Sequence, residues 1–94
     1  MNADPIRVNV RIPTPLRSYT AQQSVVQVEG HDLATVFAEL DRQFPGIRFR
    51  VVDEQGRLRK HVKVFVNDEA VRDLATEIAA TDEVTIMQAL SGGG

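Results

Sequence analysis

The sequence predicts a two-layer α+β domain, a mixed sheet of four to five strands with one main helix across one face. Three observations carry this. Ile6-Arg7-Val8-Asn9-Val10-Arg11-Ile12 alternates apolar and polar residues without a break, the period of a half-buried strand. Leu33, Val36, Phe37, Leu40 and Phe44 recur at helical spacing, and no other long stretch sustains that pattern. The run Val84-Thr85-Ile86-Met87-Gln88-Ala89-Leu90 has the composition of a buried strand and leads straight into Ser91-Gly92-Gly93-Gly94.

The elements follow in order. Pro13 and Pro15 stop the first strand because proline cannot donate to a ladder. Leu16 to Gln23 is a connection, and Ser24-Val25-Val26-Gln27-Val28 is a second strand that pairs antiparallel with the first. Glu29-Gly30-His31 turns, Asp32 caps the helix, and Pro45-Gly46 ends it after about 13 residues. Ile47, Phe49 and Val51 alternate with Arg48 and Arg50, which predicts an extended or irregular segment before the turn Asp53-Glu54-Gln55-Gly56. His61 to Asn67 is a strand with Val62, Val64 and Val66 inward. Asn67-Asp68-Glu69 turns into a short strand at Ala70-Val71. Asp73 to Ala80 is expected to form a turn of helix on Leu74 and Ile78. The first and last strands carry the longest apolar runs, so they belong side by side in the middle of the sheet.

Ninety-four residues make one domain, enough for a modest core and too little for a deep substrate cleft. The net charge of −2 offers no general argument for nucleic acid or a membrane as partner. Charge is uneven along the chain, however. From Arg42 to Lys63 seven Arg and Lys stand against two acids, whereas from Asn67 onward six acids stand against Arg72 alone. Such a surface either orients a protein partner or is simply a pair of solvated faces. There is no cysteine, which removes disulfides, thiol nucleophiles and thiolate metal sites. No apolar stretch approaches the ~20 residues of a membrane span, and the N-terminus lacks the pattern of a signal peptide, so a cytoplasmic location is expected.

The organising expectation concerns the end of the chain: a domain over 1–90 and a flexible glycine tail over 91–94. Without Cβ atoms the tail can thread a channel too narrow for side chains, and four extended residues reach roughly 14 Å at ~3.5 Å each. The alternative is a frayed terminus with no role. Phe65 and Met87 fall out of phase with the inward Val64, Val66, Val84 and Ile86, which places both on the sheet face away from the helix: a partner-docking patch, or else a lone exposed aromatic with no role or one covered by a loop. Leu90, at the base of the tail, either anchors the strand end or seats in the partner. His31 and His61 lack metal-ligand spacing and are expected as surface or turn residues. Ser91 has no base to activate it, Asp68 and Glu69 are turn chemistry, and nothing marks Lys60 or Lys63 as a catalytic amine. No catalytic residue and no metal ligand is assigned.

The element order, the turn Val66-Asn67-Asp68-Glu69, the segment Asp82-Glu83-Val84-Thr85-Ile86 and the C-terminal Ser-Gly-Gly together resemble the MoaD/ThiS family of ubiquitin-like sulfur carriers. The resemblance covers essentially the whole chain. Val10-Arg11-Ile12-Pro13-Thr14-Pro15-Leu16-Arg17 and Val64-Phe65-Val66-Asn67-Asp68-Glu69-Ala70-Val71-Arg72 look most of all like its CysO-type branch. It implies a ubiquitin-like β-grasp fold and a carrier rather than an enzyme. It further implies that the reacting group is the terminal carboxyl, adenylated by an E1-like enzyme that consumes ATP and converted to a thiocarboxylate. A sulfur-accepting enzyme, a PLP-dependent cysteine synthase in one branch, would then take the sulfur for cysteine or a related thiolated product. The protein would bind no cofactor of its own, and partners would dock on the tail and the Phe65/Met87 face. The absence of cysteine agrees, since the chain has no thiol on which to carry sulfur as a persulfide. The family usually ends in Gly-Gly, whereas here Gly92, Gly93 and Gly94 follow one another. The activated carboxyl is that of Gly93 or of Gly94, and some members are trimmed to Gly-Gly by a metalloprotease. Two rivals stand beside this reading: a ubiquitin-like modifier conjugated to lysines through the same terminus, and a plain β-grasp interaction module.

Overall fold

The computed structural model describes residues 7–88, and its core is built from alternation on the strands and one apolar stripe on a helix. Five strands, β1 (Arg7–Arg11), β2 (Val25–Glu29), β3 (Val62–Val66), β4 (Glu69–Val71) and β5 (Glu83–Gln88), form one sheet in the order β2-β1-β5-β3-β4. β1 and β5 are parallel, and every other pairing is antiparallel. The expected central pair is therefore the observed one, with β5 between β1 and β3.

Helix α1 (Leu33–Gln43) crosses one face of this sheet. Leu33, Val36, Phe37 and Leu40 are fully buried against Val8, Val10, Val28, Val64, Val84 and Ile86. Asp32 caps it through a reciprocal pair: its carboxylate accepts from the Thr35 N–H at 2.8 Å, and the Thr35 hydroxyl accepts from the Asp32 N–H at 3.1 Å. Gly30, in the turn before it, lies so close to the helix that a Cβ there would fall 2.7 Å from Val36 Cγ2 and 2.8 Å from the Val36 nitrogen.

Three segments depart from expectation. Thr14–Thr20, read as a connection, is a 3₁₀ helix that buries Leu16 and Thr20. Ile47–Val51, read as extended or irregular, is a short helix α2. Ile47 and Val51 lie one helical turn apart and are buried, while Phe49 is 56% exposed. Gly46 at φ 99° starts the turn, and the Asp41 carboxylate accepts from the N–H groups of Gly46 at 3.0 Å and Arg48 at 3.1 Å. The third departure is 73–80, where no helix forms. Its carbonyls serve α1 instead: the N–H groups of Leu33 and Ala34 donate to Thr76 O (3.1 Å) and Leu74 O (2.9 Å). A helix start leaves such donors without intrahelical partners, and satisfying them holds 73–80 open. Leu74 and Ile78 still pack on the core, as expected.

Candidate functional site: the outgoing end of the last strand

Register places the site. β3 runs antiparallel to β5 with Val62 opposite Gln88, so the start of β3 lies beside the end of β5. β1 runs parallel to β5 with Arg11 opposite Thr85, so β1 also finishes at that end. The outgoing end of the central strand is thus flanked by Lys60, His61 and Lys63 on one side and by the Arg11–Arg17 segment on the other. A groove of about 520 Å³ opens there between β1, the 3₁₀ helix and β5, with Pro13, Pro15, Thr85 and Met87 in its lining.

Phe65 and Met87 both lie on the face opposite α1, where the out-of-phase argument put them. Cross-strand pairing sets a row Val25–Arg11–Thr85–Phe65–Ala70 across the whole sheet, with Met87 opposite Lys63 in the neighbouring row. Met87 is 51% exposed and Phe65 half-buried. Val25, also on this face, was not singled out in sequence; its exposure follows from Val26 and Val28 pointing inward. Leu90, Ser91, Gly92, Gly93 and Gly94 lie outside the described residues.

The opposite end of the sheet is acidic and closely tied. The Asn67 side chain donates to Asp82 Oδ1 at 2.9 Å and accepts from the Glu83 N–H at 3.0 Å, while the Asn67 N–H donates to Glu83 O at 2.8 Å. The Ala79 N–H, followed by the Asn67 amide, holds the Asp82 carboxyl below its ordinary range. Asp68 and Glu69 sit exposed where the chain turns from β3 into β4. His31 lies 3.8 Å from Asp32 at the start of α1, far along the chain and the sheet from His61 at the start of β3. Among the described residues no group of three or more His, Asp or Glu is placed to hold a metal. None of their helices is long and apolar enough to cross a membrane.

Sequence reasoning missed Arg72. Its guanidinium donates to the carbonyls of Val62 (3.1 Å), Leu58 (3.0 Å) and Arg59 (3.3 Å), pinning the chain that enters β3. No local signal announces this, because the acceptors lie ten to fourteen residues away. Arg59 was equally invisible: its Nε donates to Phe49 O at 2.7 Å, and its guanidinium stacks 4.6 Å from the Phe49 ring centroid.

A five-stranded mixed sheet with a central parallel pair, grasping one helix, defines a ubiquitin-like β-grasp domain. The model of the ThiS family matches residues 10–93, and the chain belongs to that family. It is 42% identical over 93 residues to the sulfur carrier protein CysO of Mycobacterium tuberculosis, covering 94% of this chain and all of that one. The crystal structure of M. tuberculosis CysO superposes with a TM-score of 0.83 over 88% of this chain and 99% of that one. CysO in the BexX/CysO complex of Amycolatopsis orientalis is 34% identical, with a TM-score of 0.85 over 92% of this chain and 99% of that one. The small archaeal modifier protein SAMP1 of Haloferax volcanii shares the fold at 24% identity, with a TM-score of 0.79 over 93% and 99% of the two chains.

Proposed function

We propose that this protein is a sulfur carrier, a co-substrate of partner enzymes rather than an enzyme, which bears sulfur as a thiocarboxylate on its C-terminal glycine. The observation that carries the reading is the join between fold and sequence. The central strand lies between β1 and β3, and its described residues reach Gln88, six residues before Gly94. Family membership and 42% identity to CysO along the whole length of that relative support the same role.

The chemistry follows from the carboxyl group. A carboxylate is a poor electrophile, so an E1-like enzyme would join it to AMP, with ATP as donor and pyrophosphate leaving. A sulfide sulfur then attacks the acyl carbon, AMP departs, and the terminus becomes –COS⁻. A sulfur-accepting enzyme would finally use that sulfur as a nucleophile towards a small electrophile, giving a thioester; hydrolysis of its acyl–sulfur bond then returns the carboxylate and frees cysteine or a related thiolated product. Side-chain-free glycine suits both active sites, which must close on the acyl group and exclude water. Whichever carboxyl reacts, that of Gly93 after trimming by a metalloprotease or that of Gly94, Phe65 and Met87 would form the docking patch, with Leu90 at its edge. A complex between a CysO and BexX supports the idea that proteins of this kind work while seated on a partner.

The test is the intact mass of the protein after incubation with ATP, an E1-like enzyme and sulfide. The expected product has one oxygen replaced by sulfur. The same mass change on a chain one glycine shorter would assign the chemistry to Gly93. Conjugation of the chain to lysines of other proteins, without that product, would favour the modifier instead.

A further inference from the structure

Much of each charge run of the sequence gathers at one end of the molecule, although Arg42 lies instead beside Glu29 and pairs with Glu39. Because β1 and β5 are parallel and β3 opposes them, Arg17, Arg59, Lys60 and Lys63 gather at the outgoing end of β5. Arg50 joins them around a depression shared by Phe49, Arg59 and His61. Asp68, Glu69 and Asp82 gather at the other end, where β5 begins, with Glu29 paired to Arg7 at 3.9 Å and Glu83 paired to Arg11. Among the described residues Arg50, Lys60 and Lys63 make no ion pair, so their charge faces outward. Of the two acids on the loop before β3, Asp53 has its carboxylate taken up by the N–H groups of Gln55 at 2.9 Å and Arg57 at 3.0 Å, while Glu54 is exposed. Arg11 lies closer to the middle and is neutralised by Glu83 at 3.1 Å.

We infer that this basic collar around the outgoing end of β5 docks against an acidic rim at the mouth of the channel in the adenylating enzyme that receives the C-terminus. The inference rests on the sulfur-carrier reading and adds the electrostatic character of the partner surface. A protein partner fits better than a nucleic acid. The cations border an apolar strip with Met87 on it, and the acidic end with an overall charge of −2 would repel a phosphate backbone. A molecule with opposite charges at its two ends turns in the field of such a rim, so the collar leads the approach. Steering of this kind acts on encounter and fades with salt, whereas apolar contact does not.

The experiment measures pyrophosphate release by the E1-like enzyme of the same organism at saturating ATP, with this protein as varied substrate, at low and raised salt. For the unaltered protein kcat/KM should fall as salt rises. Lys60→Glu/Lys63→Glu should lower low-salt kcat/KM by about tenfold or more, leave kcat in place and flatten the salt dependence. Lys60→Arg/Lys63→Arg should behave as the parent. Equal melting temperatures confirm that both variants are folded. If the charge-reversed protein keeps the parent kcat/KM and salt slope, the collar has no such role and the carrier reading stands. If it instead loses binding to a labelled DNA duplex while kcat/KM holds, the cations serve a nucleic acid and the inference is overturned. Absence of pyrophosphate release from the parent protein would sink the carrier reading, and the collar with it.

Discussion

At Gly30 a single missing atom decides whether α1 can settle on the sheet. A Cβ there would meet the Val36 nitrogen at 2.8 Å, and a backbone atom inside a helix cannot step aside as a flexible side chain would. Gly30→Ala should therefore cost about 1–3 kcal/mol, the range for forcing an extra carbon into a packed site. Urea unfolding checks this, and an unchanged midpoint would mean that the turn relaxes freely. Arg72 works by the opposite logic, adding donors to the carbonyls of Leu58, Arg59 and Val62 across the entry to β3. Neither role could be seen in the sequence. A glycine between Glu29 and His31 reads as turn chemistry, and an arginine after a short strand reads as a surface charge.

At the scale of elements, the start of α1 is where pH should act. The Thr35 N–H, followed by the Thr35 hydroxyl, holds the Asp32 carboxyl below its ordinary value of 3.8. A carboxyl with a depressed folded-state pKa stabilises the fold above its unfolded value, and that contribution is lost as pH falls through the folded one. The urea midpoint should thus drop below about pH 3.8, and Asp32→Asn, which keeps an acceptor at the cap but cannot titrate there, should show a shallower acid limb. Parallel acid limbs would show that other carboxyls dominate. β1 was legible because period-2 alternation sustained over the seven residues Ile6 to Ile12 does not also fit a helical stripe. Ile47 to Val51 was not, because apolar residues at 47, 49 and 51 satisfy strand spacing while 47 and 51 also satisfy a helical turn. The backbone turn at Gly46 and the Asp41 carboxylate settled it, and neither is visible in the apolar pattern. For 73–80, the N–H groups at the start of α1 claimed the carbonyls that a local helix would have used.

For the whole molecule, the claim is that domain and terminus have separate tasks. Among the described residues the buried core runs from Val8 to Ile86. Removing Gly92, Gly93 and Gly94 should leave the melting temperature unchanged while abolishing the sulfur-for-oxygen mass change. Circular dichroism and intact mass on the same sample check both halves, and a large fall in melting temperature would mean that the glycines belong to the fold. That Phe65 and Met87 face away from α1 was legible for the same reason as the core. Once Val64, Val66, Val84 and Ile86 are assigned inward, their neighbours must face out.

By itself the sequence determined the two-layer class, the helix and its cap, the phase of each strand, the central pairing of β1 with β5 and the glycine ending. All of these depend on spacing and residue type within short stretches, or on apolar content that must be buried somewhere. Only the tertiary structure decided that α2 is helical, that 73–80 stays open to serve α1, and that Arg72 pins the entry to β3. It also gathered much of each charge run along the chain at one end of the sheet, one end basic and the other acidic. The physical reason is common to these: each depends on groups distant in sequence competing for the same hydrogen bonds or the same side of a ladder, and only the folded register says which meet.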